Sequence, residues 1–279
     1  MRSPIAAIVL SSFTMFLAAC SSETASSPRV SSEAPDTPDP VQTSDDAAKQ
    51  FEWVGKYHND ALDHAFAKLR ASKTSSKLDQ CRVGIAALKE FQKAYRKPDG
   101  SPVSLDSKIT DGMCELAAKN NFAVPSSSAS LITQGKISPT ASGFMNEIGT
   151  AVDNTDGLPA YTFAVNRIMN NAEAALGSGS LETNAVFATG SVGVSSEQYW
   201  IANESSWSSG PSLPTVVLSS PGTAPQYQVG ARTRAIIRAD VSAAISVLVV
   251  DWWQGELAIE KAMFKAAAAS LIAGLSLLF

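Results

Sequence analysis

Apolar side chains recur at helical spacing from about residue 46 onward. The first such face is formed by Ala47, Phe51, Val54, Leu62, Ala65 and Leu69, with His58 as its polar interruption. These positions lie along one line at about 100° per residue, the pattern of an amphipathic helix. The same spacing predicts helices over 46–71, 79–97, 105–121, 141–152 and 158–176. Turn residues, such as those of 98–100 and 177–179, stand where the patterns stop.

The stretch 181–203 fits two structures. Its valines and aromatic residues are compatible with strands, but 182–202 also fits a helix weakened by two glycines. The helical interpretation is favoured, which leaves at most a minor β element near 186–218. Serine- and proline-rich runs predict long loops at 122–139 and 204–229.

The last 48 residues are the most apolar part of the chain. Residues 241–250 are apolar on every side apart from two serines, 256–265 are amphipathic, and 266–279 hold only two polar side chains. Two interpretations stay open. Helices that are apolar all round are buried at the centre of a domain, or they insert into a bilayer as a hairpin with Trp252 and Trp253 at the interface. The sequence favours burial, because fourteen helical residues span only about 21 Å.

These patterns predict an all-α fold. Residues 46–279 are expected to form a single helical domain of about seven or eight helices, with its apolar C-terminal helices buried. Residues 20–45 are rich in serine, proline and acidic side chains and have almost nothing to bury, so they are expected to be a disordered tether.

The N-terminus carries an export pattern. Arg2 precedes an apolar run from Ile5 to Leu17, which closes on Leu17-Ala18-Ala19-Cys20. This layout resembles the signal peptide and lipobox of bacterial lipoproteins. The apolar run is too short to be a spanning helix.

The resemblance implies that residues 1–19 are removed and that Cys20 is acylated, palmitate being among the expected acyl groups. The mature protein would then be held in the cell envelope, with the membrane as its first partner. Ser21 lacks the acidic signal that retains some lipoproteins in the inner membrane, so the outer membrane is favoured where the organism has one.

The charge balance argues against a nucleic-acid-binding protein, and the cysteine content predicts a disulfide. From Ala47 onward there are 20 basic and 20 acidic side chains, which gives no broad basic surface for nucleic acid. Once Cys20 is assigned to the lipid, Cys81 and Cys114 remain as an even pair in an exported chain. They are expected to form a disulfide, with two buried thiols as the alternative.

His58 and Asn59 mark a candidate buried polar site. A histidine on an apolar helix face must find a partner in the core, and a structural hydrogen bond to a neighbouring helix is favoured over ligand binding or catalysis. His64 falls on the opposite face and is expected to be solvated. The spacing of the two histidines does not suit a metal site on one helix, and no metal or cofactor is expected.

Catalytic signatures are weak. The chain lacks G-x-S-x-G, S-x-x-K and phosphate-binding glycine motifs. A Ser/His/Asp triad assembled in space would have to use His58 or His64 as its base. A carboxylate pair for glycoside chemistry would come from Asp60, Asp63, Asp79, Asp106, Asp111 and Glu115. Tyr199, Trp200 and Trp207 would either line a carbohydrate or peptide groove or anchor the core, and the second interpretation is favoured.

The expected function is therefore a non-enzymatic, lipid-anchored binding or structural module whose partner is an envelope protein or polymer. The second hypothesis is a membrane-active protein that inserts residues 241–279. The third is a hydrolase directed at the envelope.

Overall fold

The structure, a computed structural model, describes residues 49–104, 112–122, 137–155, 157–209, 230–251 and 254–277. Within these ranges the chain forms eight α-helices and no β-strand, so the predicted all-α single domain is confirmed. The helices are α1 (Glu52–Ala71), α2 (Lys77–Ala94), α3 (Met113–Lys119), α4 (Pro139–Asn154), α5 (Leu158–Leu176), α6 (Leu181–Ser208), α7 (Ala231–Asp251) and α8 (Glu256–Leu277). The proposed signal peptide, Cys20 and the tether lie outside the described residues.

Serine caps set several helix starts. Ser76, Ser138 and Ser180 each accept a hydrogen bond from the backbone N–H three residues further on, which satisfies a donor left free in the first turn. Ser138 also donates to Glu182, at 2.6 Å between the hydroxyl and the carboxylate. This contact ties the first turn of α4 to the first turn of α6.

Several predicted boundaries were wrong. Helix α1 itself begins at Glu52. Lys49 and Gln50 before it are also helical, Phe51 forms a turn whose carbonyl accepts a hydrogen bond from the Ser191 hydroxyl, and residues 46–48 lie outside the described residues. Helix α2 ends at Ala94, and Tyr95 is extended. Helix α3 ends at Lys119, since Asn121 and Phe122 adopt positive φ angles. Residues 105–111 of that predicted helix lie outside the described ranges.

The predicted first residue of the loop at 204–229 was wrong. Helix α6 continues to Ser208, because Trp207 is fully buried and stacks on Phe66, with 4.6 Å between the ring centroids. The rest of that loop from residue 210 to 229, including the suggested strand at 216–218, lies outside the described residues. Helix α7 begins at Ala231, ten residues before the apolar run, and its first turns carry arginines that contact the end of α4.

Helix α6 lies at the centre of the bundle. It packs against α1, α4, α5, α7 and α8, and most of its residues from 183 to 200 are buried. Close contact with α8 depends on Gly274, where an added Cβ would stand 2.7 Å from the Trp200 ring. A helix with neighbours on most sides has only a weak amphipathic stripe, which explains why its sequence pattern was ambiguous.

The C-terminal helices are core helices. Helices α7 and α8 pack against each other, and α8 also contacts α1 and α2. Most side chains of α8 from Ala258 to Leu275 are buried, which confirms the predicted burial for the described part of this segment. No described helix combines the length and apolar character needed to cross a membrane.

A disulfide joins Cys81 of α2 to Cys114 of α3. Of the two alternatives that the sequence left open, the structure therefore contains the covalent one. Arg82 reinforces the same junction by donating to Glu115 across an exposed surface.

Candidate functional site

A buried polar cluster connects four helices in the core. We define it as His58 of α1, Ser196 of α6, Asp240 of α7 and Ser270 of α8, all of which have no exposed surface. Both serine hydroxyls donate to Asp240 Oδ2, at 2.5 Å from Ser196 and 2.7 Å from Ser270. Trp200 Nε1 donates to the Ser270 hydroxyl at 2.8 Å. The carboxylate is the centre of this network.

His58 and Asp240 lie against each other in this cluster. His58 Nδ1 lies 3.0 Å from Asn59 Oδ1, and a carbonyl oxygen can only accept, so Nδ1 carries a hydrogen. Nε2 faces Asp240 Oδ2 at 3.3 Å, close enough for an ion pair but without hydrogen-bond geometry. Burial raises the pKa of Asp240, which favours its protonated form, while His58 opposes that shift.

The cluster differs from a catalytic triad. In a triad the serine hydroxyl hydrogen-bonds to the imidazole, which is oriented by the acid. Here both hydroxyls donate to the acid, and His58 Nε2 has no hydrogen-bond partner. The arrangement can hold four helices in register, and it offers no activated nucleophile.

Glu197 is a second buried acid beside the cluster. Burial raises its pKa to about 7, and the positive charge of Arg234 only partly offsets that effect. Its Oε2 atom is buried without a hydrogen-bond partner. The fully buried Tyr161 has a raised pKa because of burial and because of the nearby Glu197 and Asp240 charges.

A groove of about 1190 Å³ lies between α1, α5 and α6. The loop after α2, at residues 97–99, and Glu256 at the start of α8 complete its rim. Its polar walls include uncharged amide and hydroxyl side chains: Gln50, Asn59, Asn166, Asn170, Ser191, Ser195 and Gln198. The charged side chains of both signs that line it are Lys49, Glu52, Lys56, Asp60, Lys97, Asp99 and Glu256. Trp53, Met169, Phe187 and Val194 supply its apolar surface.

Helical spacing aligns these groups. Asn166 and Asn170 are four residues apart on α5, and Ser191, Ser195 and Gln198 follow at intervals of four and three on α6. Side chains at such intervals share one face of a helix. Each helix therefore presents a polar stripe to the same groove.

The floor of the groove is held by close contact between α1 and α6. Gly55 N–H donates to the Ser191 hydroxyl at 3.1 Å, and that hydroxyl donates to the Phe51 carbonyl at 2.7 Å. A Cβ added at Gly55 would stand 1.8 Å from Ser195 Oγ and 2.8 Å from the Ser191 carbonyl oxygen. Only glycine permits this approach, so the floor is a rigid surface.

Asn59 joins the groove to the buried polar cluster. It lines the groove, while its Oδ1 atom accepts from His58 Nδ1. Ser195 in the groove wall likewise precedes Ser196 of the cluster. The predicted site residues His58 and Asn59 are neighbours on α1 that face different regions. His58 lies in the core, and Asn59 lies at the groove.

The other predicted site residues are dispersed. His64 is about one-third exposed and lies between α1 and α2, with Nε2 3.8 Å from Glu90 Oε1. Asp60 pairs with Lys56 at the groove edge, and Asp63 lies beside the Tyr199 hydroxyl.

Asp79 and Glu115 both contact the exposed Arg82 guanidinium, away from the groove. Asp106 and Asp111 lie outside the described residues. The described members of the carboxylate set therefore do not gather around the cavity.

The aromatic residues singled out in the sequence anchor the core. Tyr199, Trp200 and Trp207 are buried, and Trp207 Nε1 donates to the Tyr199 hydroxyl at 3.1 Å. Trp53, which sequence reasoning missed, lines the groove instead. The sequence does hold a clue to this position, because Trp53 lies off the apolar stripe of α1 and near Glu52 and Lys56, which are both exposed.

Metal-binding side chains do not cluster in the described ranges, where no three His, Cys, Asp or Glu residues come together as a metal site. Comparison with protein-family models, with curated proteins and with solved structures finds no match to this chain.

Proposed function

We propose that this chain is a lipid-anchored binding module of the bacterial cell envelope, and that the groove between α1, α5 and α6 holds its ligand. The observation that carries the binding role is the groove itself. Its volume slightly exceeds the range of about 300–1,000 Å³ that is usual for small-molecule sites, and three helices direct uncharged polar side chains to it.

Binding is favoured over catalysis by the chemistry of the groove walls. Amides and hydroxyls recognise a ligand by hydrogen bonds, but they do not supply a nucleophile or a general base without an activating partner. Of the four carboxylates in the described lining, Asp60 pairs with Lys56, Glu256 pairs with Lys97, and Asp99 accepts from the backbone N–H of Ser101. The histidine and the aspartate that could activate a serine are withdrawn into the core, where the aspartate accepts both hydroxyl hydrogens. The proposal therefore assigns the groove to recognition.

The anchor is supported by the lipobox ending at Cys20 and by the tether that follows it. A flexible coil of about 25 residues reaches roughly 25–30 Å, enough to hold a domain clear of lipid headgroups. Membrane insertion of residues 241–279 is less favoured, because it would withdraw α8 from contacts with α1, α2, α6 and α7. Such a release would expose the core that those helices share.

The anchor is tested by the Cys20→Ser variant. Mass spectrometry of the wild-type protein should find a diacylated and N-acylated cysteine at the mature N-terminus, and the variant should leave the membrane fraction. An unmodified wild-type N-terminus that still begins at Met1 would contradict the proposed anchor.

The binding role is tested by filling the groove. Gln198 and Asn171 are both exposed helical residues, but only Gln198 lines the groove. Gln198→Trp should reduce co-sedimentation of the protein with lipid-extracted envelope fragments, whereas Asn171→Trp should not. If the wild-type protein does not co-sediment, or if both variants behave like it, the groove is not the site of envelope recognition.

A further inference from the structure

We propose that the ligand of this groove is an uncharged oligosaccharide, held by the amides of α1, α5 and α6 and by the ring of Trp53. This inference rests on the proposed function, and it adds the chemical class of the ligand. The charge balance of the groove, its amides and Trp53 of its described lining support this ligand class.

The described charged side chains of the groove are mixed in sign, since Lys49, Lys56 and Lys97 stand among Glu52, Asp60, Asp99 and Glu256. Lys56 pairs with Asp60 along α1. Lys97 is nearly buried and pairs with Glu256 at 2.6 Å and with Glu260 at 2.9 Å. With three positive and four negative side chains intermixed, and with these pairs among them, the described lining concentrates neither a positive field for a phosphate or a carboxylate nor a negative field for a cation. The groove therefore favours a ligand without charge.

Asp99 is also engaged within the chain. Its carboxylate accepts from the backbone N–H and the hydroxyl of Ser101, and these hydrogen bonds lower the pKa of Asp99. An acid committed to its own turn contributes to the shape of the rim and is not available as a base.

The amides match a ligand rich in hydroxyl groups. Asn166, Asn170 and Gln198 are exposed, so their side chains are open to a ligand. Each amide both donates and accepts hydrogen bonds, as each sugar hydroxyl does, so the two can pair in either direction. Because the amides stand on facing helices, neighbouring hydroxyls of one ring can be bound from two sides.

Trp53 supplies the apolar contact that a sugar ring needs. It is half-buried, it lines the groove, and it also lines an adjoining cavity of about 290 Å³. Sugar rings expose C–H groups on their faces, and a flat aromatic side chain covers such a face without requiring charge. The adjoining cavity also contains Gln50 and Glu256, so the ligand surface continues past Trp53 at the end of the groove.

The test is a calorimetric titration of the full-length lipidated protein in detergent. The uncharged probes are N-acetylchitotetraose and cellotetraose, and the comparison probes are tetraalanine and inorganic phosphate. At least one saccharide should bind, and Asn166→Ala with Asn170→Ala should weaken it tenfold or more. The matched Asn171→Ala variant should stay within twofold of the wild-type protein, because Asn171 is exposed on the same helix outside the groove.

Trp53→Ala gives a second measurement and should also weaken the saccharide by tenfold or more. A thermal melt shows whether this variant is folded, and the asparagine variants carry the test if it is not. Binding of tetraalanine or phosphate without either saccharide would overturn the ligand class while leaving a binding groove. If none of the probes binds, the inference is wrong, and the Gln198→Trp co-sedimentation result separately decides the proposed function.

Discussion

His58 of α1 and Asp240 of α7 meet in the core with 3.3 Å between Nε2 and Oδ2, and neither side chain has any exposed surface. Helices that are distant in sequence are thus joined by a polar contact at the centre of an apolar bundle. Removing one partner of such a pair leaves the other without compensation for its lost hydration. The contact therefore makes one arrangement of α1 and α7 strongly preferable to others.

We expect His58→Ala to lower the free energy of unfolding by about 3–5 kcal/mol, because it leaves the Asp240 carboxyl group supported only by two hydroxyls and creates a cavity. Urea denaturation followed by circular dichroism measures this change. The matched control is His64→Ala, whose partner Glu90 is exposed, and its cost should stay below about 1 kcal/mol. Equal stability of the two variants would show that the buried contact contributes nothing.

Glu197 predicts a pH dependence of stability. Its pKa is raised from 4.5 to about 7 in the folded protein, so the folded state keeps a proton that the unfolded state loses above pH 4.5. The stabilising contribution of this group is complete below about pH 4.5 and is lost as the pH rises through about 7, a span worth up to about 3 kcal/mol. Asp240 acts in the same direction, since burial also raises its pKa.

The variant that isolates this effect is Glu197→Gln, which stays neutral at every pH. Denaturation at pH 5 and pH 8 should show the variant close to the wild-type protein at the lower pH and more stable at the higher pH. The gain is expected to be reduced by the loss of attraction to Arg234. A constant difference between the two proteins across this range would contradict the raised pKa.

The sequence predicted the fold more completely than the site. The apolar stripe containing Leu62 and Leu69 predicted α1, and the predicted helix over 158–176 matches α5 at both ends. Both are amphipathic helices, whose buried face can be identified from the spacing of apolar residues in the sequence. Helix α6 shows a weaker amphipathic pattern, because neighbouring helices contact it on most sides. The end of α6 was missed because Trp207 is held by tertiary contact with Phe66, which no local pattern reports.

The candidate site, like the fold, could be predicted from the sequence only in part. His58 could be found because a polar residue on an apolar stripe needs a partner, but the identity of that partner could not. Asp240 lies 182 residues further along the chain, beyond any local signal. The groove amides were missed because Asn and Gln on exposed helix faces are common, and only the packing of α5 beside α6 gives them a shared cavity.

The disulfide predicts a redox-dependent stability. Cys81 and Cys114 are 33 residues apart, and the chain-entropy model gives about 3–4 kcal/mol for closing a loop of that size. Cys81→Ser with Cys114→Ser should lower the free energy of unfolding by that amount, and reductant added during denaturation should destabilise only the wild-type protein. If reductant changes the double variant equally, the effect does not come from this disulfide.

The contact at Gly55 predicts that the stability of the bundle and the shape of the groove change together. Gly55→Ala would place a methyl group 1.8 Å from Ser195 Oγ and 2.8 Å from the backbone oxygen of Ser191, so α1 must move away from α6. We expect a loss of about 1–3 kcal/mol in denaturation and weaker binding of the groove ligand. The matched control is Gly143→Ala in α4, where an added Cβ meets nothing within 4 Å and should stabilise the helix by about 0.5–1 kcal/mol. Unchanged stability and binding in Gly55→Ala would show that α1 and α6 are not held as closely as this contact requires.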